Sequence, residues 1–245
     1  MLAGCAGWSI PTECSAAFPA AGSHLERYAA VFGAVEINSS FYRPHRASTY
    51  ARWADSVPDD FVFSVKLPRA ITHEARLVGI DAVQTRFLGE VGALGAKLGC
   101  VLVQLPPSLA FDARVAGEFF AGMRARFSCV LACEARHRSW FSEAATDLLI
   151  SEGITRVYAD PPKGQEGAFL ATTGTLYARL HGSPRIYYSS YDSAYLEQVA
   201  AGMQQHTGAG RTVWTIFDNT ASGAAVANAL QVVAIAPPGA SDRQT

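Results

Sequence analysis

Short apolar runs rich in β-branched residues recur along the chain, separated by longer stretches whose apolar residues fall at helical spacing. This alternation predicts a succession of βα units. Eight runs have strand character: Leu2–Ala6, Ala34–Ser39, Phe61–Leu67, Cys100–Leu105, Cys129–Ala135, Thr155–Asp160, Thr175–His181 and Arg211–Phe217. Helices are predicted over 24–32, 46–55, 82–96, 113–126, 140–151 and 192–205, with a last one near 222–231. Ser23 with Glu26, and Asp81 with Gln84, have the spacing of capping boxes, while Asp112 and Asp192 are placed as simple N-caps. The sixth run is the exception, because the PPKGQEGAFLATTG that follows it is too rich in Gly and Pro for a regular helix and predicts an irregular crossover.

Eight βα units in 245 residues match a (β/α)8 TIM-type barrel, a closed parallel sheet, whereas a doubly wound open sheet more often has about five or six strands. No G-x-G-x-x-G follows the first run, which weakens a dinucleotide-binding fold further. Residues 1–236 are expected to form one domain and 237–245 a flexible tail.

In such a barrel the site is built at the C-terminal ends of the strands. Alternation puts Glu36 and Asn38 on one face and Val35 and Ile37 on the other, so the polar face looks into the barrel. The same parity joins Ser64 with Lys66, Glu134 with Arg136, Tyr158 with Asp160, and Tyr177 with Arg179 and His181, leaving Leu176, Ala178 and Leu180 for the helix side. Gln104, Asp218 and Asn219 end other strands. These charges either neutralise one another as a structural network or form a pocket, and a pocket is favoured because burying so many ions is a costly way to fill a core.

Glu134 is then a general acid or base, or the partner of Arg136. Glu36 and His181 are the other catalytic candidates. Lys66 offers a Schiff base, an anion contact or a pairing with Glu36. Arg136 and Arg179 have the fork that clamps phosphate or carboxylate. Arg69, His73 and His137 lie in loops nearby, and Asn38, Gln104 and Asp160 complete the substrate-binding candidates. Trp8, Phe41, Tyr42 and the RIYYSSY segment with Tyr187, Tyr188 and Tyr191 follow strand ends, which places them at the pocket mouth.

Hydrophobic residues make up 49% and charged residues 17% of the chain, which suits a buried parallel sheet, and a formal net charge of −1 supplies no global field for nucleic acid or an anionic membrane. No basic leader precedes a long apolar stretch and no apolar run approaches the roughly 20 residues of a membrane span, so a soluble cytoplasmic protein without a membrane partner is expected. The five cysteines do not read as a disulfide framework, and reduced thiols are expected. No H-x-x-H or H-E-x-x-H spacing appears and no cofactor is signalled; Glu36, Glu134, Asp160 and His181 are the residues to consider if a metal binds.

At these same positions the chain resembles the YecE-like family, known as domain of unknown function 72. The segments that carry the likeness are GCAGWS at 4–9, VEINSSFYR at 35–43, FSVKLPRAITHE at 63–74, LGCVLVQLPPS at 98–108, CEARHRSW at 133–140, YARLHG at 177–182 and FDNTASGAAVANAL at 217–230. The resemblance implies a TIM-type barrel and brings no established activity. It marks Glu36, Asn38, Lys66, His73, Gln104, Glu134, Arg136, His137, Arg179 and His181 as the family's polar positions. The chain departs from the family pattern after Trp8, at PTECSAAFP, and at Asp218, where an asparagine pair is usual.

The leading functional expectation is an enzyme of hydrolase, lyase or isomerase type acting on a small or medium anionic substrate. Nucleic-acid processing is the second, resting on the mouth aromatics against an unfavourable net charge. A non-catalytic metabolite-binding or regulatory barrel is the third.

Overall fold

The computed structural model describes residues 1–237, so the expected tail lies outside the described residues except for Pro237. Eight parallel strands, β1 (Leu2–Cys5), β2 (Ala34–Ile37), β3 (Val62–Lys66), β4 (Leu98–Gln104), β5 (Val130–Glu134), β6 (Thr155–Asp160), β7 (Thr175–Leu180) and β8 (Thr212–Phe217), form one sheet in the order β1-β8-β7-β6-β5-β4-β3-β2. The sheet curls into a nearly closed barrel. Its last seam, between β1 and β2, has one backbone bridge, Ala6 to Glu36.

A side chain completes that seam. Tyr28, on α1 (His24–Ala29), puts its hydroxyl between the strands, accepting from the Cys5 N–H at 2.7 Å and donating to the Ala34 carbonyl at 3.1 Å. Gly4 makes room for it, since a Cβ there would stand 2.0 Å from the Ala34 oxygen.

Side-chain alternation divides the barrel into an apolar floor and a polar rim. Ala34, Cys100, Leu102, Ala132, Val157, Tyr177, Trp214 and Ile216 fill the inside. Val35, Ile37, Phe63, Val65, Val101, Val103 and Leu131 point outward into a second core shared with the helices. Those helices are α1, the short α2 (Ser39–Tyr42), α3 (Ala47–Asp55), α4 (Asp81–Val91), α5 (Ala113–Arg124), α6 (Glu143–Ser151), α7 (Ser193–Gly208) and α8 (Ala224–Ile235). No helix follows β6, and 161–174 cross irregularly, as the Gly and Pro content predicts.

Three local expectations are corrected. Asp81 is the first helical residue and not a cap, because Ile80 takes the N-cap position and Gln84 turns inward to donate to the Met123 sulfur. The helix expected to Leu94 and beyond ends at Val91 and continues as a 3-10 turn broken at Gly95, whose φ of 57° a helix does not accept. Strand β2 stops at Ile37, because Asn38 adopts helical dihedrals and leads into α2.

The inward parity assigned to β6 is also overturned. Tyr158 pairs with Ala178 and Asp160 with Leu180, both on the outer face of β7, whereas Ala159 pairs with the inward Arg179. With no helix to cover it, the outer face of β6 need not be apolar, and the alternation there loses its meaning. Among the described residues, no helix is long and apolar enough to cross a membrane.

Candidate functional site

Arg179 is the hub of the rim. It projects inward from β7, fully buried, and its Nε and Nη2 reach the two oxygens of Glu36 at 3.0 and 2.6 Å. Nη2 also donates to Asp218 Oδ2 at 2.8 Å, and Nη1 donates to Glu134 Oε2. One guanidinium thus ties together the ends of β2, β5 and β8. Glu36 in addition accepts from the Tyr177 hydroxyl at 2.8 Å, and that hydroxyl stands 2.7 Å from Ser64 Oγ. The clamp expected of Arg179 is therefore corrected: four of its five N–H donors are directed at internal carboxylates, so it has no free fork to present to an outside anion. Such a hub is tolerable in a low-dielectric interior only because each ion is paired and hydrogen-bonded.

Above the hub, Arg136 directs Nε and Nη2 to a single oxygen of Glu134, at 2.8 and 2.7 Å. His181 sits between two carboxylates, with Nδ1 3.0 Å from Asp218 Oδ2 and Nε2 3.4 Å from Glu134 Oε1. That second contact lacks hydrogen-bond geometry, so Nε2 is a buried polar atom without a partner. Asn38 donates to Asp218 Oδ1 at 3.4 Å, and its own oxygen is likewise buried and unpartnered. The structure thus brings Glu134, Arg136, Arg179 and His181 into one cluster and adds Glu36 and Asp218 to it.

Burial works to raise the Glu134 carboxyl, but Arg179, His181 and Arg136 together outweigh it and hold the group well below the usual carboxylate range. Glu134 stays ionised near neutrality. Asp218 is lowered in the same way, with burial opposed by Arg179 and then His181. Burial would lower the His181 imidazole, yet its contacts with Asp218 and Glu134 prevail and raise it. Glu134 is therefore held in its ionised form, while the same contacts favour the protonated form of His181.

Lys66, at the end of β3, is nearly buried and does not pair with Glu36, because Arg179 has taken both of that residue's oxygens. Its ammonium lies 4.3 Å from the centre of the Phe41 ring. Burial first, and then the Arg179 charge, bring its pKa down to about 8. His73 meets the same ring edge-on, with centroids 4.9 Å apart. Gln104 is buried beside Glu134, its register partner.

Apart from Tyr187, the remaining candidates lie outside this cluster. Arg69 pairs with Glu74 at 3.3 Å on the surface, and His137 turns Nδ1 to Ser139 as the cap of a 3-10 turn. Asp160 faces outward and accepts from the Tyr191 hydroxyl at 2.7 Å, while Tyr191 is buried against Tyr195 of α7, which removes both from the mouth. Trp8 packs edge-on against Trp53 of α3 at 5.0 Å. Tyr42 and Tyr188 are exposed, the latter under Arg185 at 3.9 Å, and Tyr187 meets the His181 ring at 5.7 Å. Glu134, Arg136, Ala159, Lys163, His181 and Ile186 line a narrow cleft with a free volume of about 10 Å³. Burial pushes the thiols of Cys5 and Cys133 up to about 12, away from nucleophilic use.

Among the described residues no group of three His, Cys, Asp or Glu side chains is arranged to hold a metal ion. Arg179 occupies the space their oxygens share. Asp218 is the member of the cluster least visible in the sequence, although its parity with Trp214 and Ile216 along β8 points it inward.

The pattern and the fold both have counterparts. A family model described as "Protein of unknown function DUF72" matches residues 2–242. The UPF0759 protein YecE of Escherichia coli strain K12 is 29% identical over 139 residues, covering 53% of this chain and 47% of that protein. The UPF0759 protein YunF of Bacillus subtilis strain 168 is 29% identical over 181 residues, covering 67% of this chain and 62% of its own. The chain thus matches about half the length of the first of these curated relatives and less than two thirds of the second. A solved DUF72 family protein of Enterococcus faecalis V583 superposes with a TM-score of 0.81 at 19% identity, over 97% of this chain and 96% of its own. One from Thermotoga maritima MSB8 gives 0.76 at 24% identity, over 96% and 98%. At such identities the likeness to the solved structures is one of fold.

Proposed function

The chain belongs to the DUF72 family, described only as of unknown function, and from that premise we propose that its strand-end pocket is the active site of an enzyme for a small anionic substrate. One observation carries the reading. Three carboxylates are locked onto Arg179, while Arg136 and His181, whose Nε2 lacks a hydrogen-bond partner, line the cleft beside them and Lys66 stands in the field of the same charges. With Lys66 and His181 protonated, the cluster of Glu36, Glu134, Asp218, Arg179, Arg136, Lys66 and His181 carries one positive charge in excess, which a phosphate or carboxylate would neutralise.

Arg136 and Lys66 recognise the anion in this scheme, and His181, oriented through Nδ1 by Asp218, moves a proton at Nε2 as acid or base. Glu134 positions Arg136 and His181 and does not itself titrate. Proton transfer at a small anionic substrate fits hydrolase, lyase or isomerase chemistry.

Thermal denaturation in the presence of inorganic phosphate, sugar phosphates and small carboxylates tests the reading. A ligand at a hundred times its Kd adds about 2.7 kcal/mol to stability, and Arg136→Gln should abolish that gain. If no anion stabilises the protein, the proposal falls. A substrate with a flat ring, such as a nucleotide or single-stranded nucleic acid, is a second reading favoured by exposed Tyr42 and Tyr188 at the rim. It requires binding that weakens steeply with salt and with Tyr188→Ala.

A further inference from the structure

We infer that Lys66 is a nucleophile that forms an imine with the carbonyl carbon of an anionic aldehyde or ketone, with the neighbouring His73 as its proton relay. The inference rests on the anion-binding reading of the pocket and names the substrate class of that same site.

The sequence contains seventeen arginines and only three lysines, Lys66, Lys97 and Lys163. Lys97 is structural, donating to the carbonyls of Ala54 and Val57 at 2.8 Å each. Lys163 sits on the irregular crossover at the cleft. Among the described residues, Lys66 alone of the three is buried with neither a hydrogen bond nor an ion pair to its ammonium. A structural cation at this depth is supplied elsewhere in the pocket by arginine, at 136 and 179. What lysine adds is an amine that can lose its proton and attack carbon.

The surroundings favour the neutral amine. The nearby carboxylates are claimed by Arg179, so the ammonium is left with the face of Phe41 as its nearest partner. A pKa near 8 leaves on the order of a tenth of the molecules with a free amine at pH 7. His73 shares the Phe41 ring with Lys66, and its Nδ1 is engaged by Thr72 Oγ1 at 2.8 Å, which leaves Nε2 for exchange. Burial, and then the charges of Lys66, Arg69 and Arg136, hold its pKa below the ordinary histidine value, so the ring is neutral and able to accept.

The step balances without any redox partner. The Nζ lone pair adds to the carbonyl carbon, a C–N bond forms, and the C=O π pair moves onto oxygen. One Nζ proton passes through His73 to that oxygen and gives the carbinolamine. The second follows as the C–O bond breaks, so that water leaves and C=N remains. Amine plus carbonyl becomes imine plus water; Lys66 then serves as the nucleophile in place of an anion contact, and Arg136 is left to hold the substrate's anionic group.

Trapping tests this directly. The full chain is incubated with pyruvate, glyoxylate or dihydroxyacetone phosphate, reduced with sodium borohydride, digested and read by tandem mass spectrometry. With three lysines and one amino terminus the assignment is unambiguous, and the wild type itself provides it. The expected result is an adduct on Lys66 at least about tenfold above Lys97 and Lys163, half-maximal in rate near pH 8, and slowed by His73→Asn. Lys66→Arg should leave only background. An absence of adduct on Lys66 with all three compounds, or labelling confined to Lys163 and the amino terminus, overturns the inference.

Lactate and glycerol 3-phosphate, which carry the anion without the carbonyl, separate this failure from that of the broader reading. If they stabilise the wild type while no adduct forms, the imine is wrong and the anion pocket stands. If the adduct forms while they neither bind nor protect, the nucleophile stands and the anion pocket is wrong.

Discussion

Replacing Arg179 by Met removes the only cation that touches Glu36, Glu134 and Asp218 together and leaves three buried carboxylates facing one another. Breaking one buried ion pair costs about 3–5 kcal/mol. Arg136 and His181 still reach Glu134 and Asp218, so the loss at pH 7 should be that of about one uncompensated pair, roughly 5 kcal/mol, or on the order of 10–20 °C in Tm for a chain of this length. Against a total stability of about 5–15 kcal/mol this brings the variant near the edge of folding. The pH dependence is the sharper readout. In the wild type, Glu134 and Asp218 have lowered pKa values, so their contribution is present above the ordinary carboxylate range and lost as pH falls through their folded values. Without Arg179, burial and the mutual repulsion of the carboxylates outweigh what Arg136 and His181 still offer, the folded state binds protons more readily than the unfolded, and stability should climb as pH drops from 7 to 5. Urea denaturation of both proteins across that range measures it. A loss at pH 7 below about 1 kcal/mol, or a deficit that widens on acidification, would refute the hub.

Lys66→Met should raise stability at pH 7 by up to about 3 kcal/mol, since Lys66 is depressed from 10.5 to about 8 and each pKa unit is worth about 1.4 kcal/mol. The wild type should also gain stability from pH 8 towards 10.5, where only the unfolded chain still holds that proton, and the variant should not. His181 works in the opposite sense: its pKa is raised above 6.5, so its contribution is full below that value and lost as pH rises through the folded one. His181→Gln should therefore flatten the decline in urea midpoint between pH 6 and 8 and abolish any turnover. Gly4→Ala should cost about 3 kcal/mol or more in the same assay, because the added methyl meets backbone at 2.0 Å and cannot be accommodated by a rotamer change.

The strands were legible because a parallel barrel buries both faces of each one, so apolar runs stand out, and polar residues at alternate positions near their ends are conspicuous. Glu36, Lys66, Glu134, Arg179 and His181 surface by that rule, and all face inward. The rule fails on β6, where the helix that would demand an apolar outer face is missing. It also cannot say which cation takes which carboxylate, since Arg179 and Glu36 are 143 residues apart and meet only across the closed barrel. For that reason the sequence leaves Lys66 between a Schiff base, an anion contact and a pairing with Glu36, and Glu134 between an acid or base role and a pairing with Arg136. Tyr191 belonged by sequence to the mouth aromatics, but its hydroxyl turns back to Gly182 and Asp160, satisfying buried polar groups under α7.

The Tyr28 hydroxyl at the β1–β2 seam makes the ring of strands a bracelet with a single clasp. Burial holds that phenol well above its ordinary pKa, so the clasp is neutral wherever the protein is folded. Glu36 is the other element of the seam, through its backbone bridge to Ala6, and only its side chain belongs to the charged rim. Protons exchanged at the polar rim thus do not titrate the clasp itself, and the rim can change its charge without unfastening the seam beneath it. Slow thermal breathing, in contrast, begins where the fewest bonds must part, and the Cys5 amide, held by a side chain in place of a neighbouring strand, is the sentinel that hydrogen exchange would see open first.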